Sequence, residues 1–237
     1  MTAARVRRVA GGRFCVGADA IPVQVRRNPR ARRLTLRLAA DTGAVSLTAP
    51  ARISDRQIRG FLDAHADWIE TRRAALPPRV EPRPGLTLAV AGQGLTLAPG
   101  PGRSVRRQGD RLLVPGIEEA AFRRHLRRWL VAQARQAAAA ACARYATPDR
   151  PMTKLTMRDP RTRWGSCTSA GHIMLSWRLI LAPPAVLNYV AAHEVAHLHE
   201  MHHGPAFWRR VHDIHGDYDA PRAWLRAHGA ALHRVVV

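Results

Sequence analysis

A chain of 237 residues with 46% hydrophobic content can bury a real core, and could hold one large or two small domains. Lys+Arg 38 against Asp+Glu 17 gives a formal charge of +21, a surface that favours nucleic acid, nucleotides and other polyanions non-specifically, although abundant alanine and the single lysine, Lys154, also point to compositional bias. No run approaches the roughly 20 apolar residues that span a bilayer, Met1–Val16 lacks the apolar stretch of a signal peptide, and Cys15, Cys142 and Cys167 are too scattered for a disulfide framework, so a soluble cytoplasmic protein without a membrane partner is expected.

Residues 1–53 read as short strands. Leu34, Leu36 and Leu38 alternate with Thr35 and Arg37, and Val45-Ser46-Leu47-Thr48 alternates again after the turn Asp41-Thr42-Gly43, which predicts a hairpin. Arg26, Arg27, Arg30, Arg32 and Arg33 form a charge run expected on a solvated face. Ser54, with Gln57 three residues on, predicts a capping box that opens a helix over 54–75. Ile58, Phe61, Leu62 and Ile69 make its apolar stripe, with Trp68 at the border as a packing residue. The proline-rich stretch 77–85 can sustain neither a helix nor a central strand, and reads as a linker or long loop.

Leu86 to Val114 returns to short apolar segments split by glycines, two or three further strands. Glu118 to Tyr145 is the longest helical candidate, acidic at its start and alanine-rich later, with Phe122, Leu126, Trp129 and Leu130 on one face. His125 on this helix is expected to be structural. Leu155 and Met157 suggest a strand running into a loop that carries Arg158, Arg161 and the block Arg163-Trp164-Gly165-Ser166-Cys167. Beyond them, residues 205–214 and 221–232 are expected to be short helices. His212, His215, His228 and His233 show no ligand spacing, and no internal repeat is present. The expected fold class is α+β, with a β-rich basic unit over 1–115 and a second unit over 116–237.

The chemistry concentrates in His193-Glu194-Val195-Ala196-His197. Pro183 and Pro184 suit a helix start, and Leu187, Val190, Ala191, Val195 and Leu198 supply apolar positions at helical spacing. Residues four apart lie on one helix face, so His193 and His197 can aim both imidazoles at one cation, with nitrogen ligands that suit zinc. Glu194 lies to the side, where a carboxylate can take a proton from an activated water. A third ligand must come from elsewhere. His202 and His203 both point away on an unbroken helix, so either requires a break after His197, and Gly204-Pro205 marks an end nearby. His203 is preferred. Glu200 shares the ligand face but lies one turn too far along the axis, and His199 points elsewhere.

The run His193 to Trp208 resembles the YgjP-like metallopeptidases, relatives of the SprT-like zincins. The resemblance places His203 on the family's third histidine and Phe207-Trp208 on its aromatic pair. Arg163-Trp164-Gly165-Ser166-Cys167 resembles the W-G-S-C block, and Ile173 to Leu179 resembles the strand that follows it. More loosely, Arg32 to Leu36 and Trp68-Ile69 are similar too. His202 stands where Asn is common, and Gly204 where Ser is common. What the resemblance implies is a zincin-like C-terminal unit with one Zn2+ held by His193, His197 and His203, and Glu194 as general base in peptide-bond hydrolysis. Its substrate would be a protein or peptide, contacted by Arg163, Trp164, Ile173 and Leu175 along an edge strand at 173–177.

Tyr189 or Tyr218 could assist at an oxyanion, though both suit packing better. Cys167 could be a fourth ligand that silences the site, but a buried thiol beside a tight turn is the preferred reading. Two other functions compete. One is phosphoanhydride or nucleotide hydrolysis with Arg158, Arg161, Arg163 and Arg178 gripping phosphate, without any Walker-type glycine loop in support. The other is nucleic-acid binding around a structural zinc, which would leave Glu194 without a task.

Overall fold

The computed structural model describes residues 6–9 and 13–237, in two compact units that divide at Pro78/Arg79. The strand reading of residues 1–53 and the leader reading of Met1–Val16 therefore lie outside the described residues at 1–5 and 10–12. Among the described residues the chain is mixed α+β, with three sheets and six α-helices. No helix among them is long and apolar enough to cross a membrane.

The first unit holds β1 (Val6–Val9), β2 (Arg13–Val16), β3 (Ile21–Asn28), β4 (Thr35–Leu38) and β5 (Val45–Pro50), in the order β1-β2-β3-β5-β4. All neighbours are antiparallel except β3 and β5. The expected hairpin is β4–β5, with Arg37 opposite Ser46, and it closes where the Ala39 N–H donates to the Ala44 carbonyl at 2.9 Å. Gly43, at φ 71°, takes the left-handed conformation that this turn requires. Val45, Leu47 and Ala49 of β5 face the core and their neighbours do not, the period of a strand buried on one face.

Ser54 caps α1 (Asp55–Ala64) through the reciprocal box with Gln57. The single helix expected over 54–75 is two, because His65 leaves helical geometry and α2 (Ala66–Ala74) starts afresh. The His65 ring stacks on Phe61 at 4.1 Å, and its Nδ1 sits 2.8 Å from the Phe61 carbonyl, giving the end of α1 a hydrogen-bond partner. Leu47, Ile58, Leu62 and Ile69 are fully buried, each worth about 1.5–3 kcal/mol against exposure.

The second unit takes in more of the chain than composition suggested. β6 (Thr87–Val90), β7 (Gln93–Pro99), β8 (Arg106–Gln108) and β9 (Arg111–Val114) form a sheet in the order β6-β7-β9-β8. Its Leu88, Leu95, Leu97, Leu112 and Val114 share one core with the C-terminal helices. Residues 79–115 thus pack with residues 116–237, and the division falls at 78/79 instead of 115/116. Part of the proline-rich stretch is tied down as well: Val80 bridges Val235, with hydrogen bonds of 3.0 Å to the Arg234 carbonyl and 2.9 Å from the Val236 N–H.

α3 (Glu119–Tyr145) buries Phe122, Leu126, Leu130, Ala134, Ala138 and Cys142, one residue every four, and it packs on α4 (Pro184–Ala196). β10 (Lys154–Arg158), β11 (Gly165–Cys167) and β12 (His172–Ser176) make a small sheet in the order β10-β12-β11. α5 (Pro205–His215) and α6 (Asp219–His233) close the unit around α4.

Pro77 and Pro78 offer no N–H for a ladder, and backbone hydrogen bonds to the C-terminal segment begin at Val80. Brief subtilisin digestion of the native chain is expected to cut first within residues 75–79 and to release an intact fragment from about residue 79 onward. First cuts inside 183–203, read by mass spectrometry, would contradict this division.

Candidate metal centre

α4 is apolar almost all round, with Val186, Leu187, Val190, Ala191, Ala192, Val195 and Ala196 buried, so it runs through the core instead of lying on it. Two polar side chains near its end are held within that core: Glu194 is 5% exposed and His197 8%. The helix stops where the sequence required a break. His197 is its C-cap, and its Nδ1 lies 2.9 Å from the Glu200 carbonyl, to which it donates. That bond leaves Nε2 as the bare lone pair. The chain then reverses, and Gly204 starts α5.

The reversal returns His203 to the other two. Its Nε2 is 3.2 Å from His197 Nε2 and 3.1 Å from His193 Nε2, and the ligand atoms of all three lie within 4.8 Å of one another. A tetrahedral zinc with Zn–N bonds of about 2.0–2.1 Å sets its nitrogens about 3.3–3.4 Å apart. Three lone-pair donors at that spacing repel without a cation between them, so the donor set fits a metal ion. Phe207, fully buried, floors the cluster: its ring stacks on His197 at 4.4 Å and meets His203 and His193 edge-on at 4.7 and 4.9 Å.

Burial, reinforced by His197 and His203, pushes the His193 imidazole down to about 3, and burial also lowers His197 against the pull of the Glu200 carbonyl. Both are held in the neutral form that binds metal. Burial raises the Glu194 carboxyl to about 8, against an opposing pull from the Arg163 charge.

Glu194 owes its place to a missing side chain. A Cβ added at Gly165 would lie 2.6 Å from Glu194 Cγ and 2.7 Å from its Cδ, closer than carbon atoms pack. The carboxylate thus fills the space that β11 leaves open. In the sequence Gly165 signals no more than a tight turn, and its approach to Glu194 leaves no local trace. Gly165, Ser166 and Cys167, the three histidines, Glu194 and Met201 line a cleft of about 240 Å³.

Of the remaining candidates only Cys167 lines this cleft. Ile173 and Leu175 are corrected: they lie on β12, the central strand, paired on both sides and buried to 1% and 0% exposure, so they offer substrate neither edge nor face. The strand with an outer edge beside the cleft is β11. Trp164 is a packing residue rather than a substrate contact: its ring stacks on His233 at 4.7 Å and packs against Gly229. Arg163 is exposed and reaches Glu194 only by charge. His202 is exposed and outside the cluster, and His199 bonds Thr147 Oγ1 at 3.0 Å. Tyr218 stacks between Tyr189 and Trp208 at 5.9 and 5.5 Å, and neither tyrosine lines the cleft. Burial and then the Glu194 charge push the Cys167 thiol up to about 11, and its S–H points to the Thr168 carbonyl. Arg178 cannot grip phosphate: buried, it gives its donors to Asp159 at 2.6 and 3.1 Å and to the Leu232 and Val235 carbonyls, each at 2.8 Å.

Neither the curated proteins nor the solved structures include a significant match to this chain. The YgjP-like metallopeptidase domain family matches residues 32–228, which take in most of both units and the whole histidine cluster. By that match the chain belongs to the YgjP-like metallopeptidase family.

Proposed function

We propose that the chain is a zinc metallopeptidase that cleaves peptide bonds, with His193, His197 and His203 as the metal ligands and Glu194 as general base. The observation that carries this reading is the convergence of three Nε2 atoms within 4.8 Å, in one cleft with a buried carboxylate. The C-terminal unit is read as zincin-like, a motif-bearing helix packed under a sheet whose edge strand borders the cleft. Zinc held there would supply Lewis acidity, polarising a carbonyl and lowering the pKa of water at the open position to about 7.

The chain's own residues do the rest. Glu194 takes the proton of the attacking water and returns it to the departing amine. The Glu200 carbonyl fixes the His197 tautomer, and Phe207 holds the three rings in register. An extended substrate pairs with the outer edge of β11, which carries its scissile carbonyl along the cleft.

One zinc per chain is expected by mass spectrometry, lost in His193→Ala and His197→Ala and weakened by orders of magnitude in His203→Ala. His202→Ala should keep it, and the reverse ranking would move the third ligand to His202. Glu194→Gln should retain zinc and fold while turnover of an unfolded protein substrate drops by roughly 10²–10⁴-fold. Unchanged turnover in a zinc-loaded Glu194→Gln protein would exclude the mechanism.

Gly165→Ala drives a methyl group against the Glu194 carboxyl. Zinc should stay, kcat should fall by about 10²-fold, and KM should change little. In the Glu194→Gln background the same substitution should cost almost nothing more, because both changes remove one function. Additive losses would mean that Gly165 acts elsewhere.

A further inference from the structure

Two stretches that resemble the family but take no part in the metal centre, Arg32 to Leu36 and Trp68-Ile69, come together on the first unit. Arg33 to Leu36 form one wall of a groove of about 500 Å³, and Phe61, His65 and Trp68 form the other. The pair Trp68-Ile69 divides its labour: Ile69 is wholly buried in the core, whereas Trp68 stands 45% exposed at the groove. A large aromatic surface in water beside stacked Phe61 and His65 rings is a hydrophobic cost that folding of this unit does not recover.

The groove also runs along a sheet edge. β4 is the last strand in its sheet among the described residues. The Ala39 N–H faces β5, where it donates to Ala44. Antiparallel alternation therefore turns Arg37 and Thr35 toward β5 as well, and leaves Leu36 and Leu38 to present backbone N–H and C=O groups at the outer edge. Chemistry beside this edge is cationic: Arg32, Arg33 and Arg37 are exposed, and residues 1–78 carry fifteen arginines against five aspartates and one glutamate.

We propose that this groove docks an extended peptide segment of a partner protein, which adds to β4 as a sixth strand. One apolar or aromatic side chain of the segment packs against Trp68 and Phe61, and acidic flanks meet Arg33 and its neighbours. Main-chain bonds to Leu36 and Leu38 give affinity; the aromatic pocket and the arginines give selectivity. This site is built wholly from the first unit and does not depend on the metal centre.

The probe is a fluorescein-labelled synthetic heptapeptide of sequence EDVFVDE, titrated by anisotropy against the full chain carrying Glu194→Gln so that it stays whole. Saturable binding is expected, and Trp68→Ala should weaken it by about tenfold or more. N-methylation of alternate peptide amides, which blocks strand pairing and leaves the protein untouched, should weaken it by a similar factor. Arg33→Glu should weaken this peptide and improve its KRVFVRK counterpart. Failure to saturate, or equal binding by the N-methylated peptide, overturns the proposal. So does displacement by an oligothymidylate that binds the unlabelled chain more tightly than the peptide does, since the groove would then be a nucleic-acid platform.

Discussion

Three imidazole nitrogens converge here, with His203 Nε2 at 3.1 and 3.2 Å from the other two, a spacing that suits three lone pairs aimed at one cation. Much of the second unit serves that constraint. Burial of α4 keeps its histidines neutral, the Glu200 carbonyl takes the one proton that His197 carries, and Phe207 stacks beneath the rings. The break after His197 is equally necessary. A continued helix would carry His203 away from the other two, whereas a cap at His197 and a new start at Gly204 bring it back across a short loop.

A buried carboxylate beside such a cluster has to be made room for. Glu194 sits over Gly165, and the two come from segments separated by a strand, a 3-10 turn and nearly three turns of α4. Their packing couples β11 to α4, so the strand that borders the cleft and the residue proposed to move protons share one contact. Any shift in β11 reaches Glu194 directly. That coupling explains why a glycine occupies a position whose backbone needs no left-handed conformation, since Gly165 has no positive φ.

The metal helix was legible because its signal is local: helical spacing fixes which side chains share a face, and two prolines mark its start. The hairpin Leu34 to Thr48 and the capping box at Ser54 were legible for the same reason. What could not be read was pairing at a distance. Ile173 to Ser176 looks like any half-buried strand, and nothing within it tells a central strand from an edge. The strands of 86–114 show the same apolar alternation whichever core they cover, so composition assigned them to the wrong side of the division. His65 illustrates a third limit, since a helix with a continuous apolar stripe ends there, with the ring and not the next helical N–H meeting the Phe61 carbonyl.

The charge of the chain takes a different meaning once its arginines are placed. Arg178 is a buried strut that holds the C-terminal end of α6 to Asp159 through four hydrogen bonds. Arg27 similarly gathers the Ala51 and Ile53 carbonyls at 3.2 and 2.6 Å and the Asp55 carboxylate at 2.8 Å, where the chain leaves β5 for α1. A planar guanidinium with five donors can satisfy several acceptors at once; an ammonium on a flexible stem cannot hold the same fork. A chain with a single lysine has therefore spent arginines on backbone carbonyls that would otherwise stay open. The formal +21 already subtracts Asp159 and Asp55, so these contacts leave the net charge as it is and decide instead which guanidiniums are free to meet a polyanion. The arginines left for recognition are the exposed ones, and Arg32, Arg33 and Arg37 stand together beside the open edge of β4.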